Sequence, residues 1–291
     1  MTELRGVLTA MATPFEPGGA VDEAAARRLA AYLVEHGSHG VVVAGSTGEA
    51  ATLDDTEHIA LLAAIVDEIG AAATVICGTG TNDTRHSVEL TKAAADAGAD
   101  GALIVTPYYN KPTFAGIRAH FEAIAAAVPG LPLIAYNIPS RVVINVGPAE
   151  LAELAEIDGV VAVKQANNDE LQQVEGLALL AGNDDGFLRT LELGGAGGIL
   201  VASHLAGPQM REMWDAAQSG NLELAASIDA GLRDFYDAVG VVTNPIPIKA
   251  ALAMAGLIET DALRLPLVPA GSEERKAIAA ALERGGLLAA S

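Results

Sequence analysis

Short apolar runs that do not alternate with polar residues recur along the chain at 7–12, 40–44, 73–78, 102–106, 133–137, 160–164, 177–181 and 198–201. Continuous runs of this length predict strands buried on both faces, the habit of parallel sheets. Between them lie Ala-rich stretches with a 3.6-residue period. The stretch 54–69 keeps Glu57 and Asp67 on its polar side and meets a stop at Gly70, and 84–97 meets one at Gly98. Eight βα units within roughly 200 residues have the size and rhythm of a (β/α)8 TIM barrel, whereas a doubly wound sheet would carry a phosphate fingerprint after its first strand. Past Leu205 the strand pattern stops, and helices are expected over 208–219, 221–239, 247–255 and 272–284. The expectation is an α/β chain with a barrel over 1–222 carrying the active site and a C-terminal helical region over 223–291 packed on it.

Composition removes several function classes. With 51% hydrophobic residues in 291, a large core is available and disorder is excluded. Lys plus Arg number 17 against 37 for Asp plus Glu, a net charge of −20, so nucleic acid or an anionic membrane surface would be repelled. Mean hydropathy is +0.34, yet no apolar run approaches the ~18 residues of a membrane span. The opening MTELRGVLTAM lacks the basic n-region and small-residue cleavage site of a leader. A single cysteine, Cys77, cannot form an internal disulfide and favours a reducing compartment, so the cytoplasm is expected.

In such a barrel the active site lies at the C-terminal ends of the strands. Lys164 is the only charge on the run VVAVK, and desolvation there would lower its pKa and free a lone pair to attack a carbonyl. The same lysine could equally snorkel out to Asp169 or Asp184. One strand earlier, Tyr136 is placed to exchange protons with an adduct on Lys164, and Arg141 offers a guanidinium fork suited to a carboxylate. Taken singly, a strand-end tyrosine is more often core or rim and a loop arginine a surface charge. Gly45-Ser46-Thr47-Gly48-Glu49 supplies backbone and hydroxyl donors for a small carboxylate, or simple helix capping. The run Gly194-Gly195-Ala196-Gly197-Gly198 precedes the last strand and reads as a tight turn. The histidines at 36, 39, 58, 86, 120 and 204 form no His-x-His or H-E-x-x-H pattern, and no G-x-S-x-G elbow or cofactor fingerprint is present, so no metal and no cofactor are expected.

Six segments, GSTGEA (45–50), VTPYYNKP (105–112), YNIPSR (136–141), VAVKQA (161–166), AGNDD (181–185) and NPIPIK (244–249), follow one another at the spacing of a known family. Over residues 6–255 the chain resembles the dihydrodipicolinate synthase and N-acetylneuraminate lyase superfamily of pyruvate-dependent class I aldolases. Arg141, the Tyr108-Tyr109 pair with Asn110-Lys111-Pro112, and NPIPIK are more similar to the synthase branch of lysine biosynthesis than to the sugar-acid lyases. The resemblance implies that Lys164 forms an imine with pyruvate. It implies that Thr47, Tyr136 and Tyr109 of the partner subunit form a proton relay, that Ser46 and Thr47 hold substrate, and that Arg141 binds the carboxylate of aspartate semialdehyde. Gly182 and Leu200 would line the pocket through backbone groups, and the enzyme would be a dimer or dimer of dimers. Members regulated by lysine carry a carboxylate where this chain has His86, so weak inhibition is expected. Three departures stand out: Ser46 where threonine is common, Val142 where threonine is common, and Gln165 where an acid is usual. The rival readings are a 2-keto-3-deoxy sugar acid aldolase using the same lysine and a silent ligand-binding barrel.

Overall fold

A computed structural model describes residues 4–287. Residues 1–3 and 288–291, the outer ends of the two expected regions, lie outside the described residues. The strands are β1 (Gly6–Ala10), β2 (Gly40–Val43), β3 (Thr74–Gly78), β4 (Gly101–Val105), β5 (Leu133–Asn137), β6 (Val160–Gln165), β7 (Ala178–Ala181) and β8 (Gly197–Leu200). They pair in parallel and close as β1-β2-β3-β4-β5-β6-β7-β8, with β1 returning to β8. The expected barrel is therefore present. Closure needs glycine at its seam: Gly197 faces Gly6 in register, and a Cβ on Gly197 would sit 2.1 Å from the Gly6 carbonyl oxygen.

The helices are α1 (Glu23–Glu35), α2 (Asp55–Ile69), α3 (Thr84–Asp96), α4 (Phe114–Ala127), α5 (Pro139–Val142), α6 (Pro148–Leu154), α7 (Phe187–Glu192), α8 (Ser203–Gln218), α9 (Leu222–Val239), α10 (Ile246–Met254) and α11 (Ser272–Gly285). Local chemistry starts them. Asp54 accepts from the Glu57 N–H while Glu57 reaches back to the Asp54 N–H, a capping box that opens α2. The expected helix after β6 is missing, and 166–177 holds only the 3-10 turn Asn168–Glu170. The Asn167 N–H donates to Gln165 Oε1, a local alternative to the helical ladder, and Asn168 Nδ2 reaches across to Asp185 Oδ1 after β7. The helix expected from 208 begins at Ser203, with a kink at Ala206 just ahead of Pro208.

Strand alternation sorts the apolar side chains into two layers. Leu8, Val42, Ile76, Leu103, Ile134, Ala162, Leu180 and Ile199 fill the barrel interior, while their neighbours Val7, Val41, Val75, Val163, Leu179 and Leu200 pack outward against the helices. Full burial of a Leu, Ile or Val contributes about 1.5–3 kcal/mol relative to exposure, so a one-residue register slip would be prohibitive. Among the described residues no helix is long and apolar enough to cross a membrane.

Candidate active site

The alternation that puts Ala162 inside the barrel also puts Lys164 there. It pairs with Tyr136 of β5 on one side and Leu180 of β7 on the other. Lys164 and Tyr136 are each only 5% exposed, and the ammonium nitrogen lies 4.2 Å from the centroid of the Tyr136 ring. Burial pushes the amine down to about 7, with the Asp184 carboxylate pulling it up and the Arg141 guanidinium pushing it further down. Near neutral pH a large share of it is a free, nucleophilic amine. It does not snorkel to Asp169: among the described residues it makes no salt bridge.

Tyr136 is a weak acid held beside it. Burial raises its phenol to about 12, opposed by the charge of Arg141 and by a hydrogen bond with Ser46. Ser46 comes from the turn that follows β2, which is flanked by Ala44 at φ 51° and Glu49 at φ 56°. Ser46 is thus a hydroxyl close enough to Tyr136 to act on its phenol. Thr47, expected in the relay, accepts a hydrogen bond from Asn244 Nδ2 at 2.9 Å. The carbonyl of Asn244 in turn accepts from Arg141 Nη2 at 2.9 Å. Arg141 and Asn244 edge an open cleft of about 540 Å³ with Ser140, Val239, Gly240, Val242 and Thr243; Lys164 and Tyr136 are not among its walls.

Asp184, a polar residue just past the end of β7 and a candidate counter-ion for the lysine, is coupled to Lys164 by charge. Its Oδ1 accepts the N–H groups of Val201 and Ala202 at 2.9 and 3.0 Å. Burial nonetheless raises its carboxyl to about 6, those two bonds and Lys164 opposing the shift. Gly182 has to be glycine: a Cβ there would lie 2.7 Å from Ala166 Cβ and 2.8 Å from its nitrogen. Its N–H is spent on the Gln165 carbonyl. The Leu200 side chain packs in the outer layer, and Ile199 is the β8 residue that faces the interior. Gln165 Oε1 accepts from Asn137 Nδ2 and the Asn167 N–H, so this departure from the usual acid ties β5 to the following loop. The structure does not bring Tyr109 to the cluster. It stands on the loop after β4 at φ 71° with 88% of its surface exposed.

Sequence reasoning left Asn244 out of the site and, having weighed Asp184 just past the end of β7, gave it no role there. Asn244 lies 197 residues from the hydroxyl it binds, and its only signal was its place at the head of NPIPIK. Among the described residues no group of three or more His, Cys, Asp or Glu side chains could hold a metal ion.

Residues 3–285 match the model of the dihydrodipicolinate synthetase family. The chain is 46% identical over 289 residues to a 4-hydroxy-tetrahydrodipicolinate synthase of Moorella thermoacetica, covering 97% of this chain and 98% of that one. It is 43% identical over 295 residues to the enzyme of the same name from a Cyanothece species, covering 99% and 100%. Among solved structures, dihydrodipicolinate synthase from Cyanidioschyzon merolae with lysine bound superposes with a TM-score of 0.94 at 40% identity, over 98% of this chain and 99% of that one. The enzyme from Acinetobacter baumannii complexed with pyruvate gives 0.94 at 36%, over 98% and 100%.

Proposed function

Since the chain belongs to the dihydrodipicolinate synthetase family, we propose that it is a lyase of the class I aldolase type with 4-hydroxy-tetrahydrodipicolinate synthase activity, condensing pyruvate with L-aspartate 4-semialdehyde. The observation that carries the reading is the buried Lys164 amine, lowered to about 7 and packed under the Tyr136 ring. Its lone pair attacks the C2 carbonyl of pyruvate, the carbinolamine loses water, and an imine remains. Tyr136 hands protons to and from that oxygen, and its bond with Ser46 makes Ser46 the next carrier. Loss of a methyl proton gives the enamine, whose carbon forms the new C–C bond to the aldehyde while the aldehyde oxygen takes a proton. The acceptor's own amine then displaces Lys164 from the imine as the product cyclises. Arg141, at the mouth and hydrogen-bonded to Asn244, suits the acceptor's carboxylate. Thr47 and the backbone around Gly182 and Ile199 or Leu200 surround pyruvate.

The exposure of Tyr109 supports its use by a partner subunit in a dimer or dimer of dimers. The buried, lone Cys77 supports a cytoplasmic setting. In this reading the barrel over 1–222 carries the chemistry and the helical region over 223–291 lends Asn244. The test is pyruvate with borohydride followed by peptide mass spectrometry, then a rate assay with semialdehyde. A reduced pyruvyl group on Lys164 and turnover of the semialdehyde are expected. An adduct on Lys92, Lys111 or Lys249 overturns the mechanism. Pyruvate release from 2-keto-3-deoxy sugar acids, with no turnover of semialdehyde, overturns the choice of acceptor.

A further inference from the structure

A second set of buried charges lies beside the site and takes no part in the steps above. Among the described residues the buried lysines are Lys164 and Lys249, the latter 0% exposed. Lys249, in α10, donates to Glu49 Oε1 at 2.7 Å, with the two side chains 0% and 1% exposed. The other oxygen of Glu49 accepts the backbone N–H of Arg264 at 3.0 Å. Phe15 packs against both cations, its centroid 4.1 Å from Lys249 Nζ and 4.6 Å from the Arg264 guanidinium. Arg264 forks the two oxygens of Glu57 at 2.6 and 2.5 Å and donates to the Thr52 carbonyl. Both side-chain oxygens of Glu49 are therefore bonded to the C-terminal region.

The placement of the pair matters more than its burial. Thr47 and Glu49 sit on one stretch, Asn244 and Lys249 on another, and the bonds Thr47–Asn244 (2.9 Å) and Glu49–Lys249 (2.7 Å) close a ring between them. The loop stretch holds Ala44 and Glu49 in the left-handed region, at φ 51° and 56°. Residues other than glycine keep that conformation only where their surroundings over-determine it. Glu49 is one of the two, and its side chain is anchored at both oxygens. A buried ion pair is a poor source of net stability but a directional link that breaks at high cost, which suits it to holding a geometry.

We propose that the Glu49–Lys249 pair is the clamp that sets Thr47 against Asn244 and, through the Asn244 carbonyl, aims Arg141 into the cleft. Both are positioning residues: neither touches substrate, and both act through Asn244 and Thr47. The inference rests on the activity proposed above.

The test replaces both charges at once, Glu49→Gln with Lys249→Met, so that no unpaired charge is left inside. Expected are an unfolding midpoint close to that of the wild type, undiminished borohydride trapping of pyruvate on Lys164, and at least a tenfold loss of kcat with a raised KM for the semialdehyde. In an Asn244→Ala background, where the ring is already open, the same double replacement should cost less than threefold more. A kcat within threefold of wild type overturns the proposal. So does a tenfold loss that persists in full on top of Asn244→Ala, because the pair would then act by another route. If the double variant does not fold, Lys249→Met alone, which breaks the link to α10 while Glu49 keeps the Arg264 N–H, is read by the same two comparisons. A wild-type enzyme that traps pyruvate yet never consumes the semialdehyde refutes the activity instead, and the two failures are distinct.

Discussion

Replacing Lys164 by methionine should abolish turnover and stabilise the fold. In the unfolded chain the amine holds its proton up to its ordinary 10.5, whereas in the barrel burial lowers it to about 7. Between these values the unfolded state binds more protons, so stability rises with pH across the window from 7 to 10.5; below 7 both states are protonated and the burial penalty is felt in full. At 1.36 kcal/mol per unit, the penalty for the protonated form is about 5 kcal/mol below pH 6, about 3 kcal/mol at pH 8, and nil above 10.5. Methionine fills a similar volume without a charge. Denaturant unfolding of both proteins at fixed protein concentration, from pH 6 to pH 10, should show the methionine variant more stable by several kcal/mol at the acid end, with the gap closing as pH rises. Groups that do not couple to Lys164 cancel in the difference; Asp184 does couple, but its carboxyl at about 6 titrates only at the acid edge of the window. A variant less stable than the wild type at pH 7, or a gap that does not change with pH, would show that Lys164 is comfortably solvated or paired and would refute the account of its nucleophilicity.

Three further outcomes are expected. Asp184→Asn removes the carboxylate that raises the Lys164 amine, so the acid limb of the pH–rate profile for pyruvate trapping should move to lower pH; a limb that stays in place would show that the two charges do not couple. Inactive Lys164→Ala and Tyr109→Phe variants, mixed and allowed to exchange subunits, should regain part of the wild-type rate, and no recovery despite exchange proven by native mass spectrometry would count against a tyrosine supplied by the partner. L-Lysine should inhibit weakly, because His86 stands where regulated members carry a carboxylate and the acid it touches, Asp55, is already bonded to its Nε2 at 2.9 Å; losing a charge-assisted bond costs about 1.5–3 kcal/mol, roughly tenfold to a hundredfold in affinity. Half-inhibition of the initial rate at sub-millimolar lysine would show that Asp55 still receives the effector.

The barrel was legible because burial on two faces writes itself directly into composition: a strand covered on both sides has no polar position to spare, and runs such as VVAVK and LIAYN announce it. Lys164 was legible for the same reason, as the single charge such a run tolerates, and Tyr136 and Arg141 because they stand close to it in a recognisable order. What stayed hidden depends on which groups meet through space. That Ser46 stands beside Tyr136 while Thr47 meets Asn244 belongs to a turn bracketed by two left-handed residues. That Ile199 faces the interior while Leu200 faces outward belongs to the register of β8 against β1 and β7. Asn244 and Lys249 enter only when α10 folds back across the mouth, joining positions 197 and 200 residues apart. Hydrophobic period is a local property, readable a few residues at a time, so the chain alone determined which faces are buried; hydrogen bonds and ion pairs act over about 3 Å, and only closure of the barrel brings their distant partners within that reach.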